Sequence, residues 1–190
     1  MMGDEPNIKE YSVLFKLMKI PRCIRPFLAF LLRFAHENRA AKMLPVSCEK
    51  SAWEYLQASE GQLVIKQEFF DWWRKNKIDA LISPGLPTPA LKHGESANLF
   101  LVCSFTYYFN LLDYPTGVIP ITTVKKEEEV YEDQNHKDKY TRLLKESMKG
   151  SEGMPLGVQV TTLPFQEELC LNVMRQIEKG IDFHDLPIKF

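Results

Sequence analysis

The chain has 190 residues, 45% of them hydrophobic and 26% charged, with a formal net charge of −1. That length supports one domain with a real core, and the mix is that of a soluble globular protein. The near-neutral charge excludes the basic character of a nucleic-acid binder, so no nucleic-acid partner is expected.

Met1 to Glu10 is polar and acidic, so no secretory signal is expected. Ile8 to Ala35 is basic and strongly apolar, and Pro21 and Pro26 divide it into two short helical pieces. Its longest uncharged run, Pro26 to Leu32, is far below the ~20 residues that span a bilayer. Two readings fit this stretch. It lies in a membrane interface, or it forms two amphipathic helices packed on the core with Lys and Arg at the rim.

Ala52 to Lys77 reads as a helix, with Leu56, Leu63 and Phe70 seven apart. Trp72 and Trp73 point to different sides, which predicts a helix sandwiched between neighbours. Ile78 to Ser83 reads as a short strand. The proline-rich loop Pro84 to Pro89 follows it, either at a ligand site or as a plain connection.

Leu99 to Phe109 is almost wholly apolar or aromatic, so a helix there is expected to be covered on most sides. Pro115 stops it, and Gly117 permits close backbone approach at the turn. Val118 to Thr123 has the β-branched content of a strand, and Gly153 to Val160 repeats the pattern of turn and strand. Between them, Lys125 to Gly150 is a charged excursion. Its second half places Tyr140, Leu143, Leu144 and Met148 on one helical face. Pro164 to Lys179 reads as the last helix, with Pro164 in the first turn and Gly180 closing it.

Cys23, Cys48, Cys103 and Cys170 form no CxxC pair and read as buried free thiols, which suits a reducing compartment. No Gly-x-Ser-x-Gly elbow, phosphate loop or His-Glu-x-x-His motif occurs. Asp113 is expected to hydrogen-bond backbone N–H groups of its turn, and Asn110 and Gln159 to tie loops to the sheet. From these residues alone, no catalytic set emerges.

Asn110 through Pro120, followed by Gly153-Met154-Pro155-Leu156-Gly157-Val158-Gln159, resembles the C-terminal pattern of the amidase-signature family. Asp79 to Pro84 looks like the strand that precedes it. Ser104-Phe105-Thr106, Leu112-Asp113-Tyr114-Pro115 and Leu163 to Leu171 resemble the fatty-acid amide hydrolase branch of that family. The resemblance implies an α/β fold, a partial three-layer α/β/α arrangement with a mixed sheet. About three strands of it are present, at Ile78–Ser83, Gly117–Thr123 and Gly157–Thr161. Residues 1–190 are then the C-terminal portion of one amidase domain, with 8–35 as a membrane cap within it.

The resemblance also implies amide hydrolysis by a Ser–Ser–Lys triad, without metal or cofactor, on N-acylethanolamines and primary fatty-acid amides. Family members are usually dimers bound to one membrane leaflet, so a homodimer, a monotopic membrane surface and a long acyl ligand are the partners it implies. An endomembrane such as the endoplasmic reticulum, or the cytoplasm, is the expected location. By alignment Cys103, Tyr107, Tyr140 and Phe34 correspond to the wall of the acyl channel. Leu14, Phe15, Leu17, Met18, Phe27, Leu28, Phe30 and Leu31 correspond to the membrane-binding cap. The Gly/Ser-rich signature and the catalytic lysine belong to the family's N-terminal half, and neither motif occurs in these residues. The chain as written is therefore expected to be inactive, as a fragment, an isoform or an incomplete gene product. A non-catalytic lipid-binding or interaction protein built from the same part is the competing reading. Missing sheet neighbours would leave open edges and marginal stability.

Overall fold

The structure is a computed structural model. It describes residues 12–96, 98–99 and 103–183, with side chains from Phe15 onward. Contacts divide the chain into two units: residues 1–55 with 132–143, and residues 56–131 with 144–190.

The first unit carries three short helices, α1 (Ser12–Met18), α2 (Arg25–Phe34) and α3 (Asn38–Met43). The chain breaks at Pro21 as expected. Pro26 does not divide it, because it sits in the first turn of α2, where its missing N–H costs no helical bond. Ala29, Ala41 and Leu44 form the core of this unit, with Ile20, Leu28 and Leu32 packed against them. His36 takes a left-handed φ of 62° and turns the chain from α2 into α3.

The second unit holds a three-stranded sheet in the order β1–β3–β2, with β1 at Leu81–Pro84, β2 at Thr116–Thr123 and β3 at Pro155–Thr161. All three expected strands are present. β1 begins later than expected, after Asp79 and Ala80. Both pairings are antiparallel, so the parallel part of a mixed sheet is not found among the described residues. The register aligns Ser83, Gln159 and Val118 across the sheet, and the β2–β3 ladder is irregular between Pro120 and Thr122.

Helices cover both faces of this sheet. On one face, α7 (Glu167–Ile181) packs Cys170, Val173, Met174 and Ile177 against Ile119 and Val160. Gly117 makes that approach close, since a Cβ there would run into the Met174 thioether. On the other face, α4 (Ala52–Lys75) and α5 (Ser104–Leu112) join Tyr114 in an aromatic core of Trp73, Phe109 and Leu112, which Leu81 of β1 meets. Phe69 stands edge-on to Trp73 and Tyr114, with ring centroids 5.9 and 5.5 Å apart. The unit thus shows the expected partial three-layer α/β/α arrangement, with α7 on one face and α4 and α5 meeting the other at Leu81 and Gln159.

Four expectations are corrected. α4 is not sandwiched: Trp73 is its buried residue, while Leu56, Leu63, Val64 and Trp72 are exposed. α5 starts at Ser104 and is covered on one side only, by way of Phe109 and Leu112. α7 starts at Glu167, because Phe165 takes a left-handed φ of 64° and holds Pro164 outside the helix. It also runs through Gly180, and Asp182 in the left-handed region ends it. The cysteines are free as expected, but Cys170 is the buried one, Cys23 and Cys103 are exposed and Cys48 is half-buried. The excursion forms α6 (Lys139–Met148), which buries Leu144 and Met148 as its pattern predicted.

Candidate functional site

In the first unit, α2 has an apolar residue on nearly every side. Leu28, Ala29 and Leu32 face inward. Phe27, Phe30, Leu31 and Phe34 follow the i, i+3, i+4, i+7 spacing of one helical face and point outward. Phe27, Phe30 and Phe34 are 62%, 64% and 82% exposed. Packing of the inner face fixes that outer stripe.

Arg25 holds the three helices together. Its side chain is 2% exposed and meets no carboxylate among the described residues. Instead Nε donates to Ile20 O at 3.0 Å, Nη1 to Leu44 O at 2.7 Å and Ser47 O at 2.6 Å, and Nη2 to Leu17 O at 2.8 Å and Met18 O at 3.1 Å. These carbonyls lie at the C-terminal ends of α1 and α3, where helices lack their own donors and carry partial negative charge. A buried cation is tolerable only when its donors are satisfied in this way.

Glu37 and Arg39 hold the second stretch of the unit. Glu37 accepts from the Lys139 N–H at 2.9 Å and from Arg142 at 3.3 Å, which caps the start of α6. Arg39 donates to Asp133 at 2.7 Å and to Asp138 at 3.0 Å, and its guanidinium lies 5.5 Å from the centre of the Tyr140 ring. Burial alone would raise the Asp133 carboxyl. Hydrogen bonds from the Asn135 N–H, the His136 ring and N–H, and Arg39 hold it down at about 2 instead. In the same unit, Arg22 beside Glu54, with the Ser51 N–H and hydroxyl, holds that carboxyl at about 2.

In the second unit, Cys103, Tyr107 and Leu111 recur every four residues along α5 and are exposed, with Tyr108 beside them. Gln159 fixes the helix to the sheet. It is fully buried on β3, and its Nε2 donates to Ser83 Oγ and to Phe105 O, both at 2.9 Å. Asp113 closes α5 in the left-handed region and pairs with Lys66 of α4, and Gln62 donates to Leu111 O at 2.8 Å. The expectation that Asp113 binds backbone N–H groups is therefore corrected: a lysine one helix away takes its carboxylate.

The hydroxyls of Ser47, Ser51, Ser83 and Ser151 bond to backbone carbonyls, a carboxylate and an amide rather than to a lysine or histidine. Among the described residues no group of three His, Cys, Asp or Glu could hold a metal ion. No helix among them is long and apolar enough to cross a membrane. What the described residues do present, in each unit by itself, is an exposed apolar face on an anchored helix.

Residues 24–171 match the Amidase family model. The chain belongs to the amidase family. It is 32% identical over 173 residues to fatty-acid amide hydrolase 1 of Sus scrofa, an alignment that covers 87% of this chain and 29% of that protein. It is 33% identical over 141 residues to fatty acid amide hydrolase 1 of Caenorhabditis elegans, covering 73% of this chain and 25% of that one. A solved fatty acid amide hydrolase structure superposes with a TM-score of 0.58 at 15% identity, over 92% of this chain and 36% of that chain. The chain thus shares the amidase fold and spans less than a third of the length of these two curated relatives.

Cys103 and Tyr107 stand one turn apart at α5, in the second unit. Phe34 and Tyr140 belong to the first, where Phe34 ends the exposed stripe of α2 and Tyr140 lies under Arg39. Of the cap residues, Phe27, Phe30, Leu31 and Leu17 are exposed, Phe15 and Met18 are half-buried, and Leu28 packs inward. The Leu14 side chain lies outside the described residues. Sequence reasoning passed over Arg25, Glu37 and Arg39. An arginine beside a proline inside an apolar run was the one available signal for Arg25, and it reads equally well as a rim charge.

Proposed function

We propose that this chain supplies the membrane-facing and acyl-binding part of an amidase that hydrolyses fatty-acid amides, and that it carries no catalytic nucleophile of its own. The outward stripe of Phe27, Phe30, Leu31 and Phe34 carries this reading, because a helix already packed on its inner face has no structural use for three outward phenylalanines. Similarity to two fatty-acid amide hydrolases supports the substrate class. The exposed face of Cys103 and Tyr107 is apolar enough to line a long acyl chain, to which each buried CH₂ contributes about 0.8 kcal/mol. Phe34 and Tyr140 are proposed for the same role on the strength of the resemblance. The partners are a long acyl ligand, a single leaflet of an endomembrane such as the endoplasmic reticulum, and a second copy of the chain.

The test is an amidase assay on the purified chain with a long-chain primary fatty-acid amide and phospholipid vesicles. No turnover, with the chain found on the vesicles, is the expected result. Turnover that follows the protein through purification would overturn the claim that it lacks a nucleophile. Absence from vesicles would overturn the membrane reading.

A further inference from the structure

Two cysteines of the first unit lie on separate passages of the chain that two arginines lace together. Cys23 sits in the turn between α1 and α2 and is exposed, while Cys48 follows α3 and is half-buried. Arg22 directly precedes Cys23, and Arg25 stands two residues after it. Arg25 Nη1 donates to Ser47 O at 2.6 Å, and Arg22 Nη2 donates to Glu49 O. Those carbonyls belong to the two residues that flank Cys48. Glu54, and after it the Cys48 thiol, hold the Arg22 guanidinium above its ordinary value, which places that thiol beside the chain neighbour of Cys23.

A disulfide needs Cα atoms about 4.4–6.8 Å apart, a condition met by passages that run side by side. The other two cysteines belong to the second unit. There Cys170 is buried and bonds to Val160 O at 3.3 Å, and Cys103 precedes α5. Cys23 and Cys48 are therefore the pair that one unit offers. Where thiols are kept reduced, disulfides take the form of transient bonds that answer an oxidant.

We infer that Cys23 and Cys48 form a reversible redox pair, joined by a hydroperoxide and parted by a dithiol. One thiolate attacks the peroxide: an S–O bond forms, the O–O bond breaks and hydroxide leaves, to be protonated to water. The second thiolate attacks the resulting sulfenic sulfur. An S–S bond forms, and the sulfenic oxygen leaves as water. Two thiols are oxidised and hydrogen peroxide is reduced to water. A dithiol such as dithiothreitol reopens the bond by exchange, and is itself oxidised. The bond ties the entry to α2 to the segment after α3, beside the hydrogen bonds of Arg25 to Leu44 and Ser47. This inference stands whether or not the chain binds lipid.

The test treats the full chain with hydrogen peroxide, blocks the remaining thiols with an alkylating agent and maps the tryptic peptides by mass spectrometry. The peptide from Cys23 to Arg33, bonded to the peptide from Met43 to Lys50, is expected in monomeric protein and should disappear on treatment with dithiothreitol. Cys23→Ser and Cys48→Ser should each abolish that species. Cys103 reports how an exposed thiol of the second unit oxidises under the same conditions. Oxidation of Cys23 and Cys48 at the pace of Cys103, with no bond between them, would overturn the inference. So would a bond found only in disulfide-joined dimers, because the two passages would then come from different copies.

Discussion

The Arg25 guanidinium donates to the carbonyl oxygen of Leu44 at 2.7 Å and so ties the start of α2 to the end of α3. The same group reaches the end of α1 through Leu17 and Met18. Substituting Arg25→Leu leaves five buried or half-buried carbonyls without this donor. A loss of about 3 kcal/mol or more in the first unit is expected. Hydrogen exchange should show α1 to α3 losing protection while the β2–β3 ladder keeps it. Uniform loss across both regions would contradict this local role.

Gln159 serves the second unit in a comparable way. Gln159→Leu removes the donor to Ser83 and to Phe105 O. A cost of about 1–3 kcal/mol is expected, since two partners are left unsatisfied near a buried strand. Ser83→Ala should cost less, because Phe105 O keeps its bond. Chemical denaturation of the two variants side by side checks the order.

Two glycines of the sheet differ in what a methyl group would meet. At Gly157 the new Cβ would stand 2.8 Å from the backbone oxygen of Ile119 in the paired strand. At Gly117 it would meet the Met174 side chain, which is flexible and can move. Gly157→Ala should therefore cost more than Gly117→Ala, with overpacking penalties of about 1–3 kcal/mol. Met174→Ala should relieve Gly117→Ala and leave Gly157→Ala unrelieved, which thermal melts of the double variants would show.

The two faces of α2 should separate stability from binding. Phe30→Ser lies on the outer stripe and should change stability by no more than ~0.5 kcal/mol while weakening vesicle binding. Leu44→Ala, in the core beneath the inner face, should cost about 2–5 kcal/mol and leave the stripe's chemistry unchanged. Melting curves and vesicle sedimentation on both variants give the four readings required.

Acid should loosen the strap around Asp133. Its carboxyl is held at about 2, below its ordinary value of 3.8. A group depressed on folding stabilises the fold above its ordinary value and ceases to do so as pH falls through the folded one. The loss should therefore fall between pH 3.8 and about 2. Asp133→Asn should remove this part of the acid response, as followed by circular dichroism during an acid titration.

Elements with one dominant physical cause were legible in the sequence. β2 and β3 could be read from β-branched runs behind Gly and Pro. α6 could be read from Tyr140, Leu143, Leu144 and Met148, and the tie made by Gln159 from a polar residue amid apolar ones. The failures at α4 and α5 share one cause. Cover on most sides of α5 was inferred from its apolar content, and a sandwiched α4 from bulky tryptophans facing opposite ways, yet Tyr107, Leu63 and Trp72 are exposed. Content reports what a residue would gain from burial, not whether a neighbour is present to bury it. The ends of α7 failed for a different reason: Phe165 and Asp182, not the nearby Pro164 and Gly180, take the left-handed conformations that bound the helix. Arg25 was illegible because a sequence does not say whether a charge will meet carbonyls or water.

α2 is apolar on its inner and outer faces alike, so the first unit can be fully folded and still display three aromatic rings to water. Cellular quality control recognises nascent or damaged proteins by such rings. On the proposed membrane reading, a properly folded molecule away from the bilayer would carry the same mark. Its lifetime would then be set by how quickly it reaches that surface, and its abundance would follow the supply of the surface as well as the rate of synthesis.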